Sequence, residues 1–126
     1  MPNRICILLI EDEGSTAQAM DQQLGSQGYR VVVVSKLGQA VKALHNQEFC
    51  CVILNYFLKN EGGEQLFNTI NKAAKGRNSK TQILVLGSHF TPEMMTKLAG
   101  EIQGAFVKPI DLERLGKKVR EVCPPS

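Results

Sequence analysis

Apolar residues in this chain fall into short runs, separated by longer stretches in which they recur every three or four positions. Five runs stand out: Ile5 to Ile10, Val31 to Val34, Cys51 to Leu54, Ile83 to Leu86 and Ala105 to Val107. Continuous runs of this length fit strands buried on both faces of a sheet, which lack the alternation of a half-solvated strand. Between the first two, Ala17, Met20 and Leu24 predict a helix from Ser15 or Thr16 to about Gln27, with Gly28 as its stop. Leu37, Ala40, Val41 and Leu44 predict a second helix, and Leu66, Ile70, Ala73 and Ala74 a third. A fourth opens at Thr91-Pro92-Glu93, where a hydroxyl cap, a proline and an acid reinforce one another. Its Met94, Met95 and Leu98 are assigned to the core by their helical spacing. Asp111 introduces the last helix, which carries Leu112, Leu115, Val119 and Val122, with Lys117, Lys118 and Arg120 towards the end that favours cations.

Strands and helices in strict alternation imply an α/β fold with right-handed crossovers and a mostly parallel sheet covered on both faces. Ligands of such sheets bind outside the carboxyl ends of the strands, here just after Ile10, Leu54, Leu86 and Val107. With 126 residues and 43% hydrophobic content, the chain is expected to form one domain, residues 1–126, with a core of about 4–122 and a short tail at 123–126. No low-complexity tract or linker interrupts it, apart from the polar stretch Lys75 to Gln82.

Charge narrows the function classes. The formal net charge of +3 is small beside 15 basic and 12 acidic residues, and the one loose cluster, Lys72, Lys75, Arg77 and Lys80, reads as a solvated helix end. Nucleic acid is therefore not an expected partner. The apolar run from Ile5 to Ile10 is too short for a signal peptide or a membrane span, so the expectation is a cytoplasmic protein with no membrane partner. The four cysteines, Cys6, Cys50, Cys51 and Cys123, show no C-x-x-C spacing and are read as packing residues rather than redox or metal groups.

The chemistry lies at the strand ends. Glu11, Asp12 and Glu13 follow the first strand, Asn55 the third, Gly87, Ser88 and His89 the fourth, and Lys108 and Pro109 the fifth. An isolated acidic triplet is usually a solvated loop. Acids, an amide and a lysine placed at the ends of separate strands form a pocket instead, where a hard cation or the lysine can relieve carboxylate repulsion.

On these residues the chain resembles the receiver domain of two-component response regulators. Ile7-Leu8-Leu9-Ile10-Glu11-Asp12-Glu13 is similar to the family's first strand and acidic pair, Val52-Ile53-Leu54-Asn55-Tyr56-Phe57-Leu58 to its phosphoacceptor strand and loop, and Phe106-Val107-Lys108-Pro109 to its Lys-Pro motif. The resemblance spans roughly residues 4 to 122. It implies a flavodoxin-like (βα)5 fold with strand order 2-1-3-4-5. It also implies that Glu11 and Asp12 are the metal-binding acids, with the Phe57 carbonyl as a further ligand, and that Lys108 contacts the phosphoryl group. The departures are as informative. Asn55 stands at the acceptor aspartate, Lys59 where the loop usually has proline, and Gly87, followed by Ser88, where a switch hydroxyl is expected, while Gly63 keeps a glycine common in the family. The aromatic of the last strand falls nearer Ala105 than Phe106.

An amide cannot be the nucleophile that takes a phosphoryl group. Replacing the acid by Asn55 also lowers the pocket's formal charge from −2 to −1, so Mg²⁺ is expected to bind weakly or not at all and no other cofactor is implied. The resulting expectation is a non-enzymatic receiver that signals by binding a protein independently of phosphorylation, through the surface of the fourth helix, fifth strand and fifth helix. Two alternatives stay open: a phosphorylatable receiver in which Asn55 was introduced by engineering, and a flavodoxin-like nucleotide binder or enzyme. Against the last, no strand-to-helix turn carries a dinucleotide or P-loop glycine pattern, and Gly62-Gly63 alone is weak.

Overall fold

Each of the five apolar runs becomes a strand. In the computed structural model, which describes residues 5–77 and 80–125, the order is β1 (Cys6–Ile10), α1 (Gly14–Ser26), β2 (Arg30–Val34), α2 (Leu37–Asn46), β3 (Cys51–Asn55), α3 (Gly63–Arg77), β4 (Gln82–Gly87), α4 (Pro92–Leu98), β5 (Gly104–Val107) and α5 (Leu112–Val122). Arg4, Ser126 and residues 78 and 79 of the expected polar stretch lie outside the described residues. The strands form one sheet in the order β2-β1-β3-β4-β5, and every neighbouring pair is parallel.

The pleat divides the apolar runs between two layers, because successive side chains point to opposite faces. Leu8, Ile10, Val52, Leu54, Ile83 and Val85 meet α2, α3 and α4 through Ala40, Leu44, Leu66, Phe67, Ile70 and Leu98. Ile7, Leu9, Cys51, Ile53, Leu84, Leu86 and Phe106 meet α1 and α5 through Ala17, Met20, Leu24, Leu115 and Val119. β1, β3 and β4 are thus buried on both sides, while the edge strand β2 leaves Val33 exposed.

The caps follow their residue types. Gly28 adopts φ +97° just past α1, the left-handed conformation glycine tolerates, and Tyr29 N–H bonds back to Leu24 O at 3.2 Å. Thr91 Oγ1 accepts from Met94 N–H at 3.1 Å at the start of α4, and Asp111 Oδ1 accepts from Arg114 N–H at 3.2 Å at the start of α5.

Two expectations need correction. Met95 is 37% exposed rather than core. Only the stripe from Met94 to Leu98 of this short helix reaches the sheet, and Met95 lies about 100° round the axis from Met94. The cysteines are not all packing residues either. Cys50 and Cys123 form a disulfide, with Cα atoms 6.0 Å apart across a sequence separation of 73. The end of α5 is laid against the entry to β3, a tertiary proximity that local spacing cannot reveal. Cys51 is buried as expected, and burial pushes its thiol up to about 12.

Candidate functional site

Strand register brings the polar residues together. Ile10 pairs with Leu54, Asn55 with Leu86 and Gly87 with Val107, so Glu11, Asn55 and Lys108 emerge at one edge of the sheet. Backbone bonds extend the ladders beyond the strands: Glu11 N–H to Val34 O at 3.0 Å, Tyr56 N–H to Leu86 O at 2.8 Å and Lys108 N–H to Gly87 O at 2.8 Å. The site therefore sits on the rigid part of the fold.

Asn55 is 4% exposed and Glu11 2%. The Asn55 amide Nδ2 donates to Glu11 Oε1 at 2.9 Å and more distantly to Asp12 Oδ1 at 3.5 Å, while its carbonyl Oδ1 accepts from Phe57 N–H at 2.9 Å. The amide orientation follows from the partners, because ionised carboxylates only accept and a backbone N–H only donates. Glu11 Oε1 also accepts from Glu13 N–H at 3.0 Å, and Asp12 Oδ2 from Lys59 N–H at 2.7 Å. Lys108 Nζ lies 2.8 Å from Glu11 Oε2. This is a charge contact rather than a directed hydrogen bond, since Oε2 has no other partner and none of hydrogen-bonding geometry. Every carboxylate oxygen of Glu11 and Asp12 thus faces a proton donor or cation of the chain itself. Lys59 contributes a donor that a proline in its place would lack.

The β4 side is built differently. Gly87 is covered by the Phe57 ring: a Cβ at position 87 would lie 2.7 Å from Phe57 Cε2 and 3.0 Å from Phe90 Cζ. Phe57 also faces the His89 ring, with centroids 4.9 Å apart, and Tyr56 meets both Phe57 and Phe90 edge-on. Ser88 is exposed and shares a 3.1 Å hydrogen bond with His89 Nδ1, at the surface rather than in the pocket. On β5, Ala105 packs towards the α4 layer, whereas Phe106 belongs to the α5 layer, with the Arg114 guanidinium 5.9 Å from its ring centre.

All the expected site residues are therefore at the carboxyl end of the sheet, with Glu11, Asp12, Asn55 and Lys108 in one network and Gly87 apart from it under Phe57. The sequence pattern did not disclose the ring of Phe57 over Gly87 or the tilted His89 ring against it. Its available signal was the small residue at 87, which leaves a volume that a neighbour must fill.

Residues 7–120 match the response regulator receiver domain. The chain belongs to that family. The receiver fold is repeated in solved structures: a CheY-like response regulator receiver domain protein from Methanospirillum hungatei superposes with TM-score 0.82 at 18% identity, covering 94% of this chain and 93% of that one. A two-component response regulator from Clostridium difficile gives 0.83 at 17% identity, covering 94% and 95%. In sequence, the receiver is 26% identical over 117 residues to the sensor histidine kinase AruS of Pseudomonas aeruginosa, a match covering 92% of this chain and 12% of that protein. The chain thus spans about an eighth of the length of this curated relative. Receivers are signalling domains of two-component systems and interact there with proteins. Among the described residues no helix is long and apolar enough to cross a membrane.

Proposed function

We propose that this receiver signals by binding a protein partner without being phosphorylated, and that its acidic pocket holds Mg²⁺ weakly or not at all. The observation that carries the reading is the Asn55 amide, whose N–H groups face Glu11 and Asp12 where the family's acceptor would present an anionic oxygen. The site has no nucleophile at that position. The donor set also does not fit the family's cation. A hard divalent ion needs oxygen ligands converging on one point, whereas here an NH₂ group lies between the acids, and Lys59 N–H and Lys108 already face their remaining oxygens. The domain acts as a binding module rather than an enzyme.

Binding is assigned to the surface of α4, β5 and α5. Its support is the exposure of Val107, at 56%, on the edge strand β5 and of Met95 on α4, together with the charged outer side of α5. Nucleic acid and membrane are not part of the reading. The alternative of an engineered Asn55 in an otherwise working receiver is disfavoured by Gly87. Its position admits no hydroxyl side chain while Phe57 lies over it, so more than one residue departs from a switching receiver.

Incubation with acetyl phosphate and Mg²⁺ followed by intact mass measurement tests the proposal. The protein should gain no phosphoryl group, and a labile adduct of one phosphoryl would refute it. The same experiment on Asn55→Asp reports whether the remaining pocket can still support transfer.

A further inference from the structure

The opposite end of the sheet carries a feature unrelated to the acidic pocket. Cys50 precedes β3 and Cys123 follows α5, so neither belongs to a regular element, and their disulfide ties the end of the last helix to the entry of a central strand. Each end also has anchors of its own. Cys50 N–H bonds to Cys6 O at 3.0 Å and Cys50 O accepts from Gln82 N–H at 2.9 Å. Cys123 N–H bonds to Val119 O at 2.7 Å, and its carbonyl accepts from the buried Tyr29 hydroxyl at 2.6 Å. Opening the S–S bond leaves Cys50 fixed by its two strand bonds and Cys123 held only by the last helix bond and the Tyr29 hydroxyl, so the end of α5 can fray away from a fixed Cys50 and close on it again.

The two sulfurs differ in access. Cys50 is half-buried, whereas Cys123 is fully buried. A disulfide is opened by attack of a thiolate on one sulfur, and Cys50 is the member of the pair that is not fully buried. Neighbouring Cys51 does not compete: burial holds its thiol protonated, with a pKa of about 12, and only a thiolate attacks a disulfide.

We propose that Cys50–Cys123 is a reversible redox site at which a dithiol reductant releases the last turn of α5 while the rest of the receiver stays folded. A thiolate of the reductant attacks Cys50 Sγ. The S–S bond breaks, its electron pair leaves on Cys123 Sγ, and that sulfur takes a proton. The second thiol of the reductant gives up its proton and attacks the reductant sulfur of the mixed disulfide, expelling Cys50 as a thiolate that is protonated in turn. Two electrons and two protons pass from the dithiol, which ends as a disulfide, to the cysteine pair. The protein loses a cross-link spanning 73 positions, whose constraint acts largely on the unfolded chain.

Alkylation with mass mapping tests this. In the unreduced protein, denatured without reductant, Cys6 and Cys51 should be alkylated and Cys50 and Cys123 not. Dithiothreitol without denaturant should make Cys50 reactive, lower Tm by roughly 10 °C, and speed amide hydrogen exchange at Val119 to Cys123 while β1 and β3 keep their protection. Oxidised glutathione should reverse all three changes. Cys50→Ser should show the Tm of the reduced protein and no response to dithiothreitol; the reduced wild-type protein supplies the same readout should that variant fold poorly. Alkylation of all four cysteines before reduction would overturn the proposal. So would opening only in denaturant, global unfolding on reduction, or unchanged Tm and exchange.

Discussion

The two halves of the site are built in opposite ways. At the ends of β1 and β3, Glu11, Asp12 and the Asn55 amide form a network of hydrogen bonds that Lys108 joins by a charge contact from the end of β5. On the β4 and β5 side the contacts are apolar: Gly87 lies under the Phe57 ring, and Ala105 faces α4. One half gathers charges around an amide, while the other packs a glycine under an aromatic ring. The comparison shows that buried charge is held in place by its partners. Glu11, with no exposed side-chain surface, needs a cation or donors whether or not anything is phosphorylated.

The largest expected effect falls on the charged half. Lys108→Met leaves the Glu11 carboxylate buried without its cation and should cost about 3 kcal/mol in a urea titration, part of it recovered by adding Glu11→Gln. If the single variant is neutral, the lysine is not what holds that half together. On the apolar half, Gly87→Thr forces a side chain into the Phe57 ring and should cost about 2 kcal/mol. Phe57→Ala in the same chain should return most of that loss, and a coupling energy below about 0.5 kcal/mol would show that the two positions do not share one volume. A pair outside both halves sets the baseline. The Glu64 carboxylate, hydrogen-bonded to Lys97 at 2.9 Å, raises the lysine's pKa, and the linked stability is present below the lysine's unfolded pKa of 10.5 and lost as pH rises through the higher folded value. Because the pair lies in solvent, Lys97→Met should leave the urea midpoint at neutral pH unchanged within error.

These contrasts also mark what the sequence disclosed. Five apolar runs were enough for the α/β alternation, and Thr91 and Asp111 placed the starts of α4 and α5, because caps and burial are local signals. Register at the carboxyl ends followed from the fold, so Glu11, Asp12, Asn55 and Lys108 could be grouped before their distances were known. The Cys50–Cys123 disulfide, the exposure of Met95 and the Phe57 ring over Gly87 were not legible. Each depends on how one element lies against another: the end of α5 on β3, the narrow contact of α4 with the sheet, and a loop side chain folded back over a neighbouring strand.

In the proposed reading the Asn55 amide closes the acidic pocket. The side-chain ¹⁵N–¹H₂ resonances of Asn55, followed by NMR while Mg²⁺ is raised into the millimolar range, test it most directly. The predicted result is a pair of resonances that are protected from solvent exchange and do not move. A saturable shift or loss of those resonances at micromolar Mg²⁺ would show that the amide yields its place to the cation, and would contradict the account.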